Sequence, residues 1–300
     1  MRCIVCNQTE YFEKLSPKYC TTNNILCENC GLVFIPRDKN HLQDYYKDDG
    51  YFQKSPNLST RKFFVDKNVL SKQGKDYYNK INTLLNFNPD DKKILDIGCG
   101  FGEKLYYIKK NYKPKKLVGV EPSKEAADTG SRLFGITIKP LLLDEFVKVN
   151  NDKFDLIICN HVLEHTTDPK EFIEMIKDIM NEDGLVYFEV PNILSPSGSF
   201  SLNKFLYYEH LQTFNSYNLT LLFNLSGLEI INYDDSHFLE FWLKKGKKNI
   251  VKPDKIEPNK IKKFLNSYNK NYNLIKYFKM YLIKFVYLIK IIFFKLKVLK

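Results

Sequence analysis

The sequence predicts an α/β fold built on a mostly parallel sheet, and three observations carry that reading. Strand-length apolar runs alternate with amphipathic helical stretches through the middle of the chain. An acid and three glycines, Asp96-Ile97-Gly98-Cys99-Gly100-Phe101-Gly102, separate one such run from the helix that follows it. Phe154–Cys159 is apolar at nearly every position, as a strand covered on both faces requires.

The elements follow in order. Residues 77–85 place Ile81, Leu84 and Leu85 on one helical face. Ile94–Asp96 is the first strand, and the helix opening at Glu103 follows its glycine turn. Leu117–Val120 is the second strand, ending in Glu121. Lys124–Phe134 reads as a helix and Ile136–Leu142 as a third strand. Phe154–Cys159 is the fourth. Asp168-Pro169 with Glu171 starts the next helix, with Asp as N-cap, Pro in the first position and Glu in the third. Its stripe is Phe172, Met175, Ile176 and Ile179. Gly184 precedes a fifth strand, Leu185–Val190, stopped by Pro191. A helix near Tyr217–Ser226 ends at Gly227, and Leu228–Tyr233 with Phe238–Leu243 read as a closing antiparallel pair.

A strand, a glycine turn and a helix make a cradle in which a ligand can touch bare backbone. An acid at the tip of the second strand is the usual holder of a ribose diol. Gly98, Gly100 and Gly102 together with Glu121 therefore predict a nucleoside-containing cofactor.

Seven cysteines occur in the chain, and four stand as Cys3-x-x-Cys6 and Cys27-x-x-Cys30. Each pair can form a knuckle that presents two thiolates, and two knuckles complete a tetrahedral zinc site. The opening Met1-Arg2-Cys3 has no secretory character, which favours metal over disulfides. So small a unit has little core, and structural Zn2+ would supply much of its stability. Cys20 lies between the pairs; Cys99 and Cys159 are isolated and read as packing residues.

The formal charge is +11, but residues 244–300 hold 17 lysines against Asp254 and Glu257. The rest of the chain is mildly acidic, which makes a nucleic-acid partner a poor expectation. Within 274–300 the lysines, at 276, 279, 284, 290, 295, 297 and 300, cover one broad helical arc. Leu274, Phe278, Tyr281, Phe285, Leu288, Ile289, Ile292, Leu296 and Leu299 lie opposite. No lysine-free stretch approaches the roughly 20 residues a spanning helix needs. The pattern predicts an interfacial helix on an anionic membrane, with packing on this domain or on a partner as the alternative. The expected location is cytoplasmic, peripheral at the inner face of the membrane.

The glycine motif, Glu121 and the block Asp155-Leu156-Ile157-Ile158-Cys159-Asn160-His161-Val162-Leu163-Glu164-His165 together resemble a class I S-adenosylmethionine-dependent methyltransferase over residues 76–245. The resemblance implies a Rossmann-like seven-stranded sheet, mostly parallel with an antiparallel last strand. A four-cysteine unit ahead of such a domain is similar to the sugar C-methyltransferases. Those enzymes carry a Glu-Val-Pro block and a Tyr/His-Glu-His segment where Glu189-Val190-Pro191 and Tyr208-Glu209-His210 stand here; Tyr51–Ser55 echoes their entry segment. Unlike them, this chain ends in a short lysine-rich tail rather than a second large domain. The implied organisation is a zinc ribbon or knuckle at 1–37, a connector with some helix at 38–75, the methyltransferase domain at 76–245 and a basic amphipathic helical tail at 246–300.

The resemblance implies S-adenosyl-L-methionine as cofactor, held by Asp96, Gly98, Cys99, Gly100, Gly102, Glu121, Asn160 and His161; Asp144 reads equally as an acid near the adenine or as a surface loop acid. The implied acceptor is a sugar or glycan, methylated at carbon or oxygen. An acceptor hydroxyl, or a carbon beside a ketone, needs a base that works near neutral pH, and histidine has the right ordinary pKa. His210 is the expected general base, Glu209 either its orienting partner or a holder of a substrate hydroxyl, and Glu164-His165 either a second catalytic pair or a polar helix start. Two other readings stand beside the enzyme: a non-catalytic scaffold of the same fold, and an RNA methyltransferase gripping through the zinc unit and tail.

Overall fold

A computed structural model describes residues 1–20, 22–36, 67–83, 86–196, 201–248 and 257–268. Most of the expected connector, its Tyr51–Ser55 segment and the whole of 274–300 lie outside the described residues.

The strands form two sheets. Among the described residues the larger has seven, in the order β10 (Leu228–Asp234), β11 (Phe238–Lys245), β8 (Met180–Pro191), β7 (Phe154–Asn160), β4 (Lys93–Ile97), β5 (Lys116–Val120) and β6 (Thr137–Lys139). Its parallel core comprises β4, β5, β6, β7 and β8. β10 and β11 close it as an antiparallel hairpin, with β11 paired to β8. The seven-stranded α/β sheet with its antiparallel closing strand is therefore the one expected.

Helices cover both faces. In chain order they are α1 (Lys67–Thr83), α2 (Glu103–Asn111), α3 (Lys124–Phe134), α4 (Leu143–Val149), α5 (Pro169–Asp178), the single turn α6 (Leu202–Phe205), α7 (Ser216–Leu225) and α8 at 257–268. Their ends follow local capping chemistry, which the sequence reading gave for Asp168-Pro169 and Gly227. Ser123 caps α3 by accepting from the Ala126 amide, and Gly135 ends it with φ 62°. Asp168 caps α5 by accepting from the Lys170 and Glu171 amides, with Pro169 in the first turn. Asn215 caps α7, and Gly227 follows with φ 73°. Ile157, Ile158 and Cys159 of β7 are fully buried, as expected for a central strand.

Three boundaries moved. α1 begins at Lys67 rather than at Tyr77, while Leu84 and Leu85 of the expected helix lie outside the described residues. β8 begins at Met180 rather than after Gly184, because Gly184 sits inside the strand, where a Cβ would come 2.9 Å from the Phe154 carbonyl oxygen. The third strand shrinks to Thr137–Lys139 at the sheet edge, and Leu143–Val149, which the sequence reading left unassigned, is helical.

The smaller sheet was not expected. β1 (Phe12–Lys14), β2 (Ile25–Cys27) and β3 (Val33–Phe34) form an antiparallel meander in the cysteine unit. β9 (Gln212–Thr213), from the far end of the chain, adds a fourth strand through Val33↔Thr213 and Phe34↔Gln212. Ile261 and Leu265 of α8 lie on the same unit, in one buried cluster with Leu15, Leu26, Val33, Ile193 and Leu206. The N-terminal unit is thus stitched to the segment carrying Glu209 and His210. Among the described residues, no helix is long and apolar enough to cross a membrane.

Candidate active site

The sheet order reverses beside β4: the chain runs outward through β5 and β6, then returns to place β7 on the other side of β4. In open α/β sheets the crevice beyond the strand carboxyl ends at that point receives the ligand. The register puts Glu121, Gly98 and Asn160 one residue beyond the paired Val120, Ile97 and Cys159, while Asn160 pairs with Glu189 and Glu189 with Glu240. One row across the carboxyl edge therefore holds an acid, a glycine, an amide and two more acids.

The glycine loop occupies the middle of that row. Gly98, Gly100 and Gly102 have φ of 66°, 56° and 78°, the left-handed region that favours glycine. A Cβ on Gly98 would sit 2.4 Å from Val162 Cγ2, and one on Gly102 would sit 2.9 Å from Ile138 Cδ1. A Cβ on Gly100 would meet nothing within 4 Å. The loop is walled at both ends and open in the centre.

Glu121 is buried against that opening. Its Oε2 accepts from the Gly100 amide and its Oε1 from the Ser123 amide, each at 3.0 Å. Burial pushes its carboxyl up to about 7, against the pull of those two amides. Asp96 at the end of β4 is raised to about 6 by burial, with Lys104 Nζ at 3.2 Å from Oδ2 working the other way. Cys99 turns its thiol into a small cluster with Ala127 and Ile138, so its side chain is core. Asp144 lies on the surface of α4, 3.7 Å from Lys148.

Two orphaned groups line the crevice. Both polar atoms of the Asn160 side chain are buried without a hydrogen-bond partner, and so is Asp96 Oδ1. Unsatisfied buried amides are costly, and a polar ligand in the crevice would relieve this one. An open backbone cradle, a carboxylate poised on it and an unpaired amide beside it fit an adenosyl cofactor.

On the other side of Asn160 the wall is polar and charged. His161 has φ 54°, unusual for a side chain of its size. Its Nδ1 lies 3.3 Å from Glu164 Oε1 and its Nε2 3.0 Å from Glu189 Oε1. Burial disfavours the imidazolium, but the two carboxylates hold His161 up at about 9. Glu189 is tied further to Lys80 of α1 at 2.9 Å and to the Tyr187 hydroxyl at 3.0 Å, and Lys80 also reaches Glu240 at 2.8 Å. Those cations hold Glu189 down near about 2 despite its burial.

His165 and His210 meet edge to face beside this pair, with ring centroids 5.1 Å apart. His165 Nδ1 donates to the Glu209 carbonyl at 2.8 Å, and His210 Nδ1 to the Phe205 carbonyl at 3.1 Å. The Tyr207 hydroxyl donates to Glu209 Oε2 at 2.9 Å. Burial, then the neighbouring His165, pushes His210 down to about 3. The structure thus gathers His161, His165, Glu209 and His210 at one end of the crevice and the glycine loop at the other. Sequence reasoning missed Lys80, Glu189, Glu240 and Tyr187 as a linked group; their spacing gave no sign, because they meet only through sheet register and the packing of α1.

The cysteine unit places its four sulfurs together. Cys3 and Cys30 Sγ atoms are 3.7 Å apart, as are those of Cys6 and Cys27, and all four lie within 4.8 Å of one another. A tetrahedral ion with Zn–S bonds of about 2.3 Å needs sulfurs about 3.8 Å apart, so the donor set fits zinc.

A family model described as a methyltransferase domain matches residues 70–233. The chain belongs to this family. It is 33% identical over 126 residues to the tRNA U34 carboxymethyltransferase of Sulfurimonas denitrificans, covering 38% of this chain and 42% of that protein. It is 30% identical over 110 residues to the ubiquinone biosynthesis O-methyltransferase of Actinobacillus pleuropneumoniae serotype 7, covering 34% and 46%. The match thus spans less than half the length of these curated relatives. Among solved structures, magnesium protoporphyrin IX methyltransferase from Synechocystis, with bound SAH, superposes with a TM-score of 0.50 at 14% identity, over 69% of this chain and all of that one. The plantazolicin methyltransferase in complex with SAH gives 0.50 at 15%, over 69% and 97%. These likenesses establish the fold, and the relatives' names converge on no single acceptor.

Proposed function

We propose that this chain transfers a methyl group from S-adenosyl-L-methionine to a sugar or glycan acceptor. The observation that carries the transfer is Glu121 seated on the open centre of the glycine loop, with the unpaired Asn160 amide next to it. When bound, S-adenosylmethionine supplies an electrophilic methyl on a sulfonium. The loop backbone at Gly98–Gly102 would take its amino-acid portion, Glu121 the ribose hydroxyls, and Asn160 the remaining polar edge.

The sugar assignment rests on the character of the wall beyond Asn160. His161, Glu164, Glu189, His165 and His210 offer converging hydrogen-bonding groups rather than an apolar slot, which suits a polyhydroxylated acceptor. The nucleophile forms a bond to the methyl carbon, the sulfur–methyl bond breaks, and the sulfur keeps the electron pair. His210, whose ring burial holds neutral and makes a weaker base than the near-neutral histidine expected, would orient the acceptor through Nε2 and take its proton as the bond to the methyl carbon forms, and the Glu209–Tyr207 pair would fix the segment that carries it. The cysteine unit binds structural zinc and, through β9, braces that same segment. Along 274–300 the lysine pattern supports contact with an anionic membrane surface.

The test is mass spectrometry of sugar nucleotides and glycans from cells with and without the protein. The proposal expects one acceptor to lose about 14 Da, one methylene. An unchanged sugar pool alongside a lost methyl mark on RNA would replace it with the nucleic-acid reading.

A further inference from the structure

We infer that Glu164, His165 and His210 form a second metal site, distinct from the cysteine cluster, for a divalent first-row cation such as Mn2+, Fe2+ or Zn2+. Each offers one ligand atom, and these atoms lie within 4.8 Å of one another. The proton positions make the case. A carbonyl oxygen can only accept, so Nδ1 of His165 and Nδ1 of His210 both carry hydrogens, directed at the Glu209 and Phe205 carbonyls. In the neutral rings the Nε2 atoms therefore hold lone pairs. His165 Nε2 lies 3.7 Å from Glu164 Oε1, and Glu164 Oε2 is buried with no hydrogen-bond partner. Three electron-pair donors converge with an orphaned carboxylate oxygen among them, an arrangement that a cation completes.

The surroundings match those of metal-bound histidines, whose second nitrogen characteristically donates to a carbonyl or carboxylate that fixes the ring. A cation about 2.1 Å from each donor would draw the three in by about an ångström. Two imidazoles with one carboxylate favour a nitrogen-tolerant transition ion over Mg2+ or Ca2+, and leave coordination positions open. Hydroxyl oxygens are the ligand class for those positions, and a bound hydroxyl would have its pKa lowered. With the cation bound, His210 Nε2 is a ligand and not the proton acceptor; that last role rests on the methyl-transfer reading, and metal binding itself does not.

The experiment uses the full chain with its cysteine cluster zinc-loaded and no cofactor added. Mn2+ is titrated and followed by electron paramagnetic resonance, with zinc content measured in parallel. One saturable Mn2+ per chain is expected, with zinc retained. His165→Ala and Glu164→Gln should each weaken Mn2+ by at least about tenfold while leaving zinc content and far-ultraviolet circular dichroism unchanged. Co2+ titration guards against a variant that misfolds: in the wild type the second equivalent should give weak ligand-field bands without thiolate charge transfer. No saturable Mn2+ or Co2+ beyond the zinc of the cysteine cluster on the wild-type chain overturns the site, as does binding equal in wild type and both variants. S-adenosylmethionine affinity, measured separately, reports on methyl transfer and moves independently of this result.

Discussion

Glu121 Oε2 accepts a hydrogen bond from the Gly100 amide at 3.0 Å, joining the tip of the second strand to the open centre of the glycine loop. The contact defines where a ribose would lie, since the same carboxylate must exchange a backbone donor for hydroxyl donors. It also sets the first prediction. Glu121 is raised to about 7 and Asp96 to about 6 by burial. A sulfonium cation and hydroxyl donors favour ionised carboxylates, so cofactor binding near pH 6 should release protons, and binding at pH 8.5 should release fewer. Calorimetry in two buffers of different ionisation enthalpy measures this directly.

The same shifts act on stability. For an acid whose folded pKa lies above its unfolded value, the folded state binds more protons between the two, so stability falls as pH rises through that window. Glu121 thus destabilises the empty protein from about pH 4.5 to 7. Glu189 acts oppositely: it is depressed to about 2, so its contribution is present above 4.5 and lost as pH falls toward 2. Glu121→Gln should raise the melting temperature of the empty protein at pH 8 while weakening cofactor binding by about tenfold or more.

Glycine substitutions in the loop should separate folding from binding. Gly100→Ala meets open space, so its cost is the left-handed strain of about 1 kcal/mol. Its new methyl group nevertheless points into the cofactor hollow. Gly98→Ala strikes Val162 at 2.4 Å and should cost about 1–3 kcal/mol in overpacking as well. Denaturant melts paired with cofactor titrations should find Gly100→Ala folded and binding-deficient, and Gly98→Ala less stable.

Lys80 is the test of the buried network. It spans Glu189 and Glu240, and its side chain is 34% exposed. Removing one partner of a fully buried pair costs about 3–5 kcal/mol, and the partial exposure of Lys80 brings Lys80→Met to about 1–3. Urea unfolding measures that loss. The variant should also raise the Glu189 pKa, visible as an acid transition beginning at higher pH.

Zinc removal should act at a distance. Chelation, or Cys30→Ser, should loosen β1–β3 and, through Thr213 on β9, the segment holding His210. Hydrogen exchange should rise at residues 205–214 while the amides of β4 and β7 stay protected.

Much of the fold was legible because each element carried its own local signal. Asp168-Pro169 announced a helix start, Gly227 a helix end, and Phe154–Cys159 a buried strand. The glycine loop and Glu121 were legible for the same reason: their conformation and contact are set by chain-local geometry. Strand β9 was not, because two residues, Gln212 and Thr213, carry no period of their own and pair only with the distant Val33 and Phe34. Lys80 was hidden likewise, since an exposed-looking lysine on an amphipathic helix gives no hint of the two carboxylates it will meet. The low pKa of His210 also lay beyond the sequence, because burial and His165 set it after folding.

Isothermal titration of the folded chain with S-adenosylmethionine tests the central claim most directly. The account predicts saturable, micromolar binding of one molecule per chain, abolished or strongly weakened in both Gly100→Ala and Glu121→Gln. Absence of binding to a wild-type protein that melts cooperatively, or equal binding by all three proteins, would contradict it.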